Sequence, residues 1–136
     1  MKKLLINLGF SKTTIWFRKF IFWVLSLNFW KEPFILLGEG TQRRVYKHKD
    51  FVIKVPLDWD GLNSNDKEAK IYRSAVDGWL LGIKHARCKL HQNGLLIMEY
   101  VEPAYGRSLP TWTCYVDCQQ VGYNHKGQLV AYDYGY

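Results

Sequence analysis

Lys54 closes an apolar run, Phe51-Val52-Ile53-Lys54, and an ammonium group set there is costly to bury unless an acid meets it. Upstream, Leu37-Gly38-Glu39-Gly40 places two glycines at a strand turn, where a backbone without Cβ atoms can approach phosphate oxygens and bond them through its amides. Downstream come an acid in Asn65-Asp66-Lys67-Glu68, an apolar stretch Leu96-Ile97-Met98-Glu99-Tyr100-Val101, and a second acid in Ala131-Tyr132-Asp133-Tyr134-Gly135. A competing chemistry is His85-x-x-Cys88-x-x-His91, which could ligate zinc with a fourth ligand from Cys114 or Cys118. That spacing matches no common zinc module, and ordinary partly buried polar residues are the plainer account. Three cysteines are an odd number, so no disulfide framework is implied and a reducing compartment fits better. Cys114 and Cys118 read as buried small apolar residues.

The elements that must position these residues follow from periodicity. Phe34–Gly38, Arg43–Lys47 and Phe51–Val55 read as strands, the last two joined by a tight turn at His48-Lys49-Asp50. Residues 57–64 read as a loop. A helix is predicted from Asn65 to about Val76, because Ala69, Tyr72 and Val76 recur at helical spacing and Ser64 or Asn65 can cap it. Ile83–Leu90 is a further strand, Leu95–Val101 another, and residues 102–116 read as irregular around Pro103, Gly106 and Pro110. Val121–Asn124 and Gln128–Asp133 form a last hairpin across His125-Lys126-Gly127. The fold class is therefore α+β: a twisted antiparallel sheet of about five strands with one packed helix, a C-terminal β-hairpin and an N-terminal apolar helix.

In this order and spacing the set resembles the protein-kinase-like superfamily, specifically the nucleotide-binding N-lobe with an Asp-Tyr-Gly element, as in small kinase-like proteins of bacteria and phages. The resemblance covers residues 34–136 in outline. It implies that Gly38 and Gly40 cover the phosphates of ATP, with Val45 over the adenine ring, and that Lys54 contacts the α- and β-phosphates while Glu68 orients it. It makes Met98, Glu99 and Val101 a hinge whose backbone bonds the adenine edge. It implies Mg²⁺ on Asp133, with Gln120 at the position of the family's second metal ligand, and Asp117 as the general base. The chain departs from the pattern at three places. Arg43 stands at the third glycine, no His-Arg precedes Asp117, and counting back from Gln120 reaches Tyr115 rather than an acid. Fifteen residues, 102–116, separate the hinge from Asp117, and one residue follows Gly135. A helical substrate platform and an activation segment are thus expected to be absent. Two functions follow as expectations: an ATP- and Mg²⁺-binding protein of the serine/threonine phosphotransferase type with a degenerate catalytic loop, or a non-catalytic pseudokinase interaction module.

The chain of 136 residues carries a formal charge of +7, unevenly spread. Residues 1–33 hold six basic residues and one acid, +5; the remaining thirteen basic and eleven acidic residues leave +2 for 34–136. The main body thus has no basic run, and nucleic acid is not an expected partner. Two units are read, an N-terminal basic, aromatic-rich helix at 1–33 and a nucleotide-binding domain at 34–136. In the first, Trp16, Phe20, Trp23, Leu27 and Trp30 share a helical face. Its uncharged run, 20–30, is about 16 Å long as helix, against roughly 30 Å of bilayer core. Packing on the domain, lying in a membrane interface, and an export signal or span stay open. Through residues 13–31 this segment is a candidate contact for a protein partner or an anionic membrane surface. The protein is expected in the cytoplasm, peripheral to the inner face of the membrane if that contact is made.

Overall fold

The computed structural model describes residues 34–105 and 108–134. The expected N-terminal helix and Gly135 lie outside the described residues. Five strands form one antiparallel sheet: β1 (Ile35–Glu39), β2 (Arg43–His48), β3 (Phe51–Pro56), β6 (Cys88–Leu90) and β7 (Leu96–Glu99), in the spatial order β1-β2-β3-β7-β6. The β2–β3 turn is tight because Lys49 adopts a left-handed conformation, φ 51°. The one α-helix among the described residues, α1 (Trp59–Ser74), follows β3 in the chain.

This helix begins six residues before the predicted start. Asp58, not Ser64 or Asn65, caps it, accepting a hydrogen bond from the Gly61 amide at 2.8 Å. Gly61 reads as a loop residue in sequence, yet it belongs to the first turn because the Gln42 carbonyl and Pro56 press against it, where a Cβ would collide. The helix stops at Ser74, short of Val76, with Ala75 already extended.

Ile83–Leu90 is not one strand. Its middle is diverted: the His85 amide donates to Gly78 O and the Ala86 amide to Ala131 O, both at 2.8 Å. Short strands β4 (Trp79–Leu80) and β5 (Ile83–Lys84) pair with each other, and β6 starts only at Cys88. The predicted irregular stretch 102–116 holds β8 (Glu102–Pro103), which pairs with β9 (Val121–Tyr123), which in turn pairs with β10 (Leu129–Ala131). Two 3₁₀ turns, Thr111–Tyr115 and Asp117–Gln119, connect β8 to β9. Asn124 closes the β9–β10 hairpin, its Oδ1 accepting the amides of Lys126 at 3.0 Å and Gln128 at 2.9 Å.

The main core joins the sheet, α1 and the β9–β10 hairpin through Val52, Ala69, Leu96, Met98, Val101, Val130 and Ala131. A smaller cluster of Ile53, Val55 and Leu95 lies apart from it, as the alternation of β3 requires. Full burial of a Leu or Met such as Leu96 or Met98 stabilises by roughly 1.5–3 kcal/mol each. No helix among the described residues is long and apolar enough to cross a membrane.

Candidate functional site

Alternation along β3 puts Lys54 on the same face as Val52, opposite Val45 of β2 and Leu96 of β7. The ammonium is therefore delivered to the main core side, where it is 4% exposed. Glu68, on the buried side of α1, is 0% exposed and meets it. Lys54 Nζ lies 2.8 Å from Glu68 Oε2 and 3.2 Å from Oε1, and donates to the Tyr132 carbonyl at 2.7 Å. Asn65 locks the helix in register: its Nδ2 donates to the Lys54 carbonyl at 3.0 Å and to Gly94 O at 2.8 Å.

A second cation completes the cluster. Arg43 shares the face of Val45 on β2, and its guanidinium reaches Glu68 Oε1 at 2.7 Å, Asn65 Oδ1 at 3.1 Å and Asp133 Oδ1 at 2.8 Å. Lys54 Nζ stands 3.9 Å from the same Asp133 oxygen. Two cations thus face two carboxylates, three of them nearly buried and Asp133 more open, its side chain 38% exposed. Asp133 is held from both sides in sequence. The Tyr132 amide donates to Gln120 O at 3.1 Å, and the Tyr134 hydroxyl is buried, donating to Ala86 O at 2.7 Å. Burial drives the Tyr134 phenol far above its ordinary range, so it stays a donor.

Beside this cluster opens a cleft of about 320 Å³. Its wall brings together Gly38, Val45, Lys54, Met98, Glu99, Val101 and Asp133, residues drawn from five separate stretches of the chain. Tyr100, Pro103, Tyr105 and Tyr132 also line it and were not singled out from the sequence. The Tyr132 hydroxyl is pushed up to about 12, by burial first and by the neighbouring Tyr105 phenol second. Along 99–101 the Glu99 amide donates to Arg87 O and the Tyr100 amide to Asp50 O. Val101 lies outside the strands, and its amide makes no such backbone bond among the described residues.

Four sequence candidates stand elsewhere. Glu68 is behind Lys54 rather than in the wall. Gly40 turns its amide to the Arg43 carbonyl, 2.9 Å, closing the β1–β2 turn itself. Asp117 is exposed and lines a different, shallow hollow with Cys114, Tyr115, Val116 and Cys118. Its charge, with its hydrogen bond, raises the Cys118 thiol. Gln120 is half-buried and reaches the site through its backbone carbonyl, not as a wall side chain. The Glu99 side chain also points away from the cleft's amine, accepting from the Arg87 amide at 2.9 Å and from Arg87 Nε at 3.3 Å.

The zinc alternative does not assemble. His85 bonds Gly78 O, Cys88 Sγ lies against the Tyr134 hydroxyl and Glu68 O, and His91 Nδ1 accepts the Asn93 amide. Cys114 and Cys118 are exposed rather than buried, because the 3₁₀ turns that carry them pack through Thr113 and Val116 instead. Among the described residues no group of three or more His, Cys, Asp or Glu side chains could hold a metal ion. A Mg²⁺ at Asp133 meets the same difficulty: the carboxylate oxygen facing the cluster is engaged by Arg43, and Gln120 does not present its amide in the cleft wall. Among the described residues the protein thus offers a divalent cation at most the one carboxylate of Asp133, with one of its oxygens shared with Arg43.

The site sequence reasoning missed most clearly is Arg43. Its signal was parity: two residues before Val45 on a strand, it must share Val45's face and hence Lys54's. Comparison of the chain with protein-family models, curated proteins and solved structures finds no match.

Proposed function

We propose that the protein binds a nucleotide, with ATP as the reference ligand, in the cleft between the β1–β2 turn and the Tyr132–Asp133 segment. The observation that carries this is the buried Lys54–Glu68 pair, 2.8 Å, opening onto a cleft whose other end is apolar. Such a pair is costly to keep without use: replacing it by apolar residues is often neutral or stabilising. A cleft of this size is at the small end of the range for ligand sites, about 300–1,000 Å³. Val45, Val52, Met98 and Val101 suit a flat base, the Val101 amide offers its edge a donor, and Lys54 offers charge to phosphate. A kinase-like N-lobe would place these groups in this way, and the sheet order with the one helix among the described residues is compatible with that fold.

The same reading gives phosphoryl transfer a weak basis. Asp117 is outside the cleft wall, and Arg43 holds the carboxylate that would carry metal. These two observations favour a nucleotide-binding, non-catalytic module over a serine/threonine-type transferase. Residues 13–31 would then tether it to a protein partner or to an anionic membrane surface at the cytoplasmic face.

Calorimetric titration of the full chain with ATP tests the binding. Micromolar binding to wild type, weakened at least about tenfold in Lys54→Ala, is the expected result. No heat and no thermal stabilisation at millimolar ATP, or the same affinity in both proteins, refutes it. For the tether, deletion of residues 1–31 should leave ATP binding intact and abolish sedimentation with anionic vesicles. Retained sedimentation would refute it.

A further inference from the structure

Asp133 is the acid at the open end of the site, and it already has a cation. Arg43 Nη2 lies 2.8 Å from Asp133 Oδ1, while Nη1 bonds Glu68 at 2.7 Å and Asn65 at 3.1 Å. Three of the five N–H donors of a guanidinium are used in this way. The planar fork is thereby fixed across both carboxylates, and its side chain is only 13% exposed. A guanidinium stays charged at every accessible pH. With Lys54, it brings the cluster of Arg43, Lys54, Glu68 and Asp133 to a formal charge of zero. A site that is already balanced gives a divalent cation less to gain, since a cation on Asp133 Oδ1 would have to displace the Arg43 Nη2 contact.

We infer that Arg43 is the resident counter-ion of Asp133, so that the cleft takes its phosphorylated ligand as a metal-free anion. This rests on the nucleotide-binding reading above and names the form of the ligand. Arg43 stands behind the cleft wall, and the Lys54 ammonium, which lines it, supplies positive charge of the kind a bound metal would otherwise bring to phosphate oxygens. The acids do not repel the incoming phosphate, because each is bonded to Arg43. Arg43 is in this sense a positioning residue for Glu68 and Asp133 and a specificity determinant for the ligand's metal state.

The inference separates two quantities measurable on the full chain. The first is ATP affinity with EDTA against excess Mg²⁺. Wild type should give values within about threefold of each other, after correction for free ATP⁴⁻ and MgATP²⁻. The second is binding of Mn²⁺ alone, read by loss of its free electron paramagnetic resonance signal. Wild type should leave Mn²⁺ free. Arg43→Gln should take up Mn²⁺ in the cleft, and its ATP affinity should become at least about tenfold stronger with Mg²⁺ than with EDTA. Wild-type binding that needs Mg²⁺, or wild-type uptake of Mn²⁺ that Asp133→Asn removes, overturns the inference even if Arg43→Gln does not fold. Arg43→Gln that folds and behaves as wild type overturns the role of Arg43. Failure of ATP to bind wild type in either medium refutes the nucleotide reading itself and the inference with it.

Discussion

Glu68 should be the costliest member of the charge cluster to lose, costlier than Lys54. Glu68 accepts from both cations, Lys54 at 2.8 Å and Arg43 at 2.7 Å. In Glu68→Leu two nearly buried cations are left sharing Asp133, which stands 3.9 Å from Lys54. Lys54 retains one neutral partner, the Tyr132 carbonyl. Removal of one side of a buried ion pair costs about 3–5 kcal/mol, because the other side stays desolvated and uncompensated. In Lys54→Met the outcome differs. Glu68 keeps Arg43, the surplus negative charge falls on Asp133, and that side chain is 38% exposed to water. The loss there is that of charge-assisted hydrogen bonds, about 1–3 kcal/mol. At roughly 3–5 °C per kcal/mol for a domain of this size, the Glu68 variant should melt about 10–20 °C below wild type and the Lys54 variant by about half as much. Urea unfolding at pH 7 with tryptophan fluorescence, read at constant m-value, gives both free energies. The double variant Lys54→Met/Glu68→Leu should be more stable than Glu68→Leu alone, since it removes the orphaned ammonium. Equal losses for the two single variants, or a double variant worse than either, would refute the assignment of Glu68 as the shared acceptor.

Three further outcomes follow from individual residues. Gly61→Ala should destabilise the fold by roughly 1–3 kcal/mol, because the new methyl meets the Gln42 carbonyl and Pro56, and this outweighs the gain of about 1 kcal/mol in helix propensity; an unchanged urea midpoint would contradict it. His85 is buried and bonded to Gly78 O, and burial lowers its pKa from 6.5. Its neutral form is favoured in the fold, so this contribution is complete above pH 6.5 and declines as pH falls below it. The pH 8-to-5 loss of stability should therefore shrink in His85→Gln, measured by urea midpoints. Cys88 is pushed up to about 11 by burial, whereas Cys114 and Cys118 are exposed. Iodoacetamide at pH 8 should label the latter two in the native protein and Cys88 only in urea, as read by peptide mass; native labelling of Cys88 would refute its placement.

Much of the sheet was legible because its signals are local and repetitive. Alternation in Arg43–His48 and Phe51–Pro56, with a two-residue turn between them, determines both strands and their pairing. The pairing of Lys54 with Glu68 was also legible, since an amine closing an apolar strand requires an acid and the following helix offers one on its buried side. The start of α1 was not legible. Gly61, Asn63 and Ser64 are weak helix formers, and what holds them is a contact with Gln42, whose distance in sequence no periodicity reports. The break of Ile83–Leu90 was invisible for a similar reason. His85 and Ala86 turn their amides to Gly78 and Ala131, and the Ala131 partner is supplied by the last hairpin.

Arg43 is the instructive failure, because its position was known and its effect was not. Read as a missing glycine, it only stiffens a turn. Read as a side chain, it lies on the inner face of β2 and brings a second positive charge to the site beside that of Lys54. With Lys54 alone, Glu68 and Asp133 would leave a net negative pocket that invites a divalent cation. With Arg43 present the four charges cancel, and the acid expected to hold metal is instead bonded within the protein. Under the proposed reading, Arg43 at the β1–β2 turn shifts the cleft's preference from a metal complex towards a bare anion, while the sheet, the helix and the cleft wall stand as the rest of the sequence dictates.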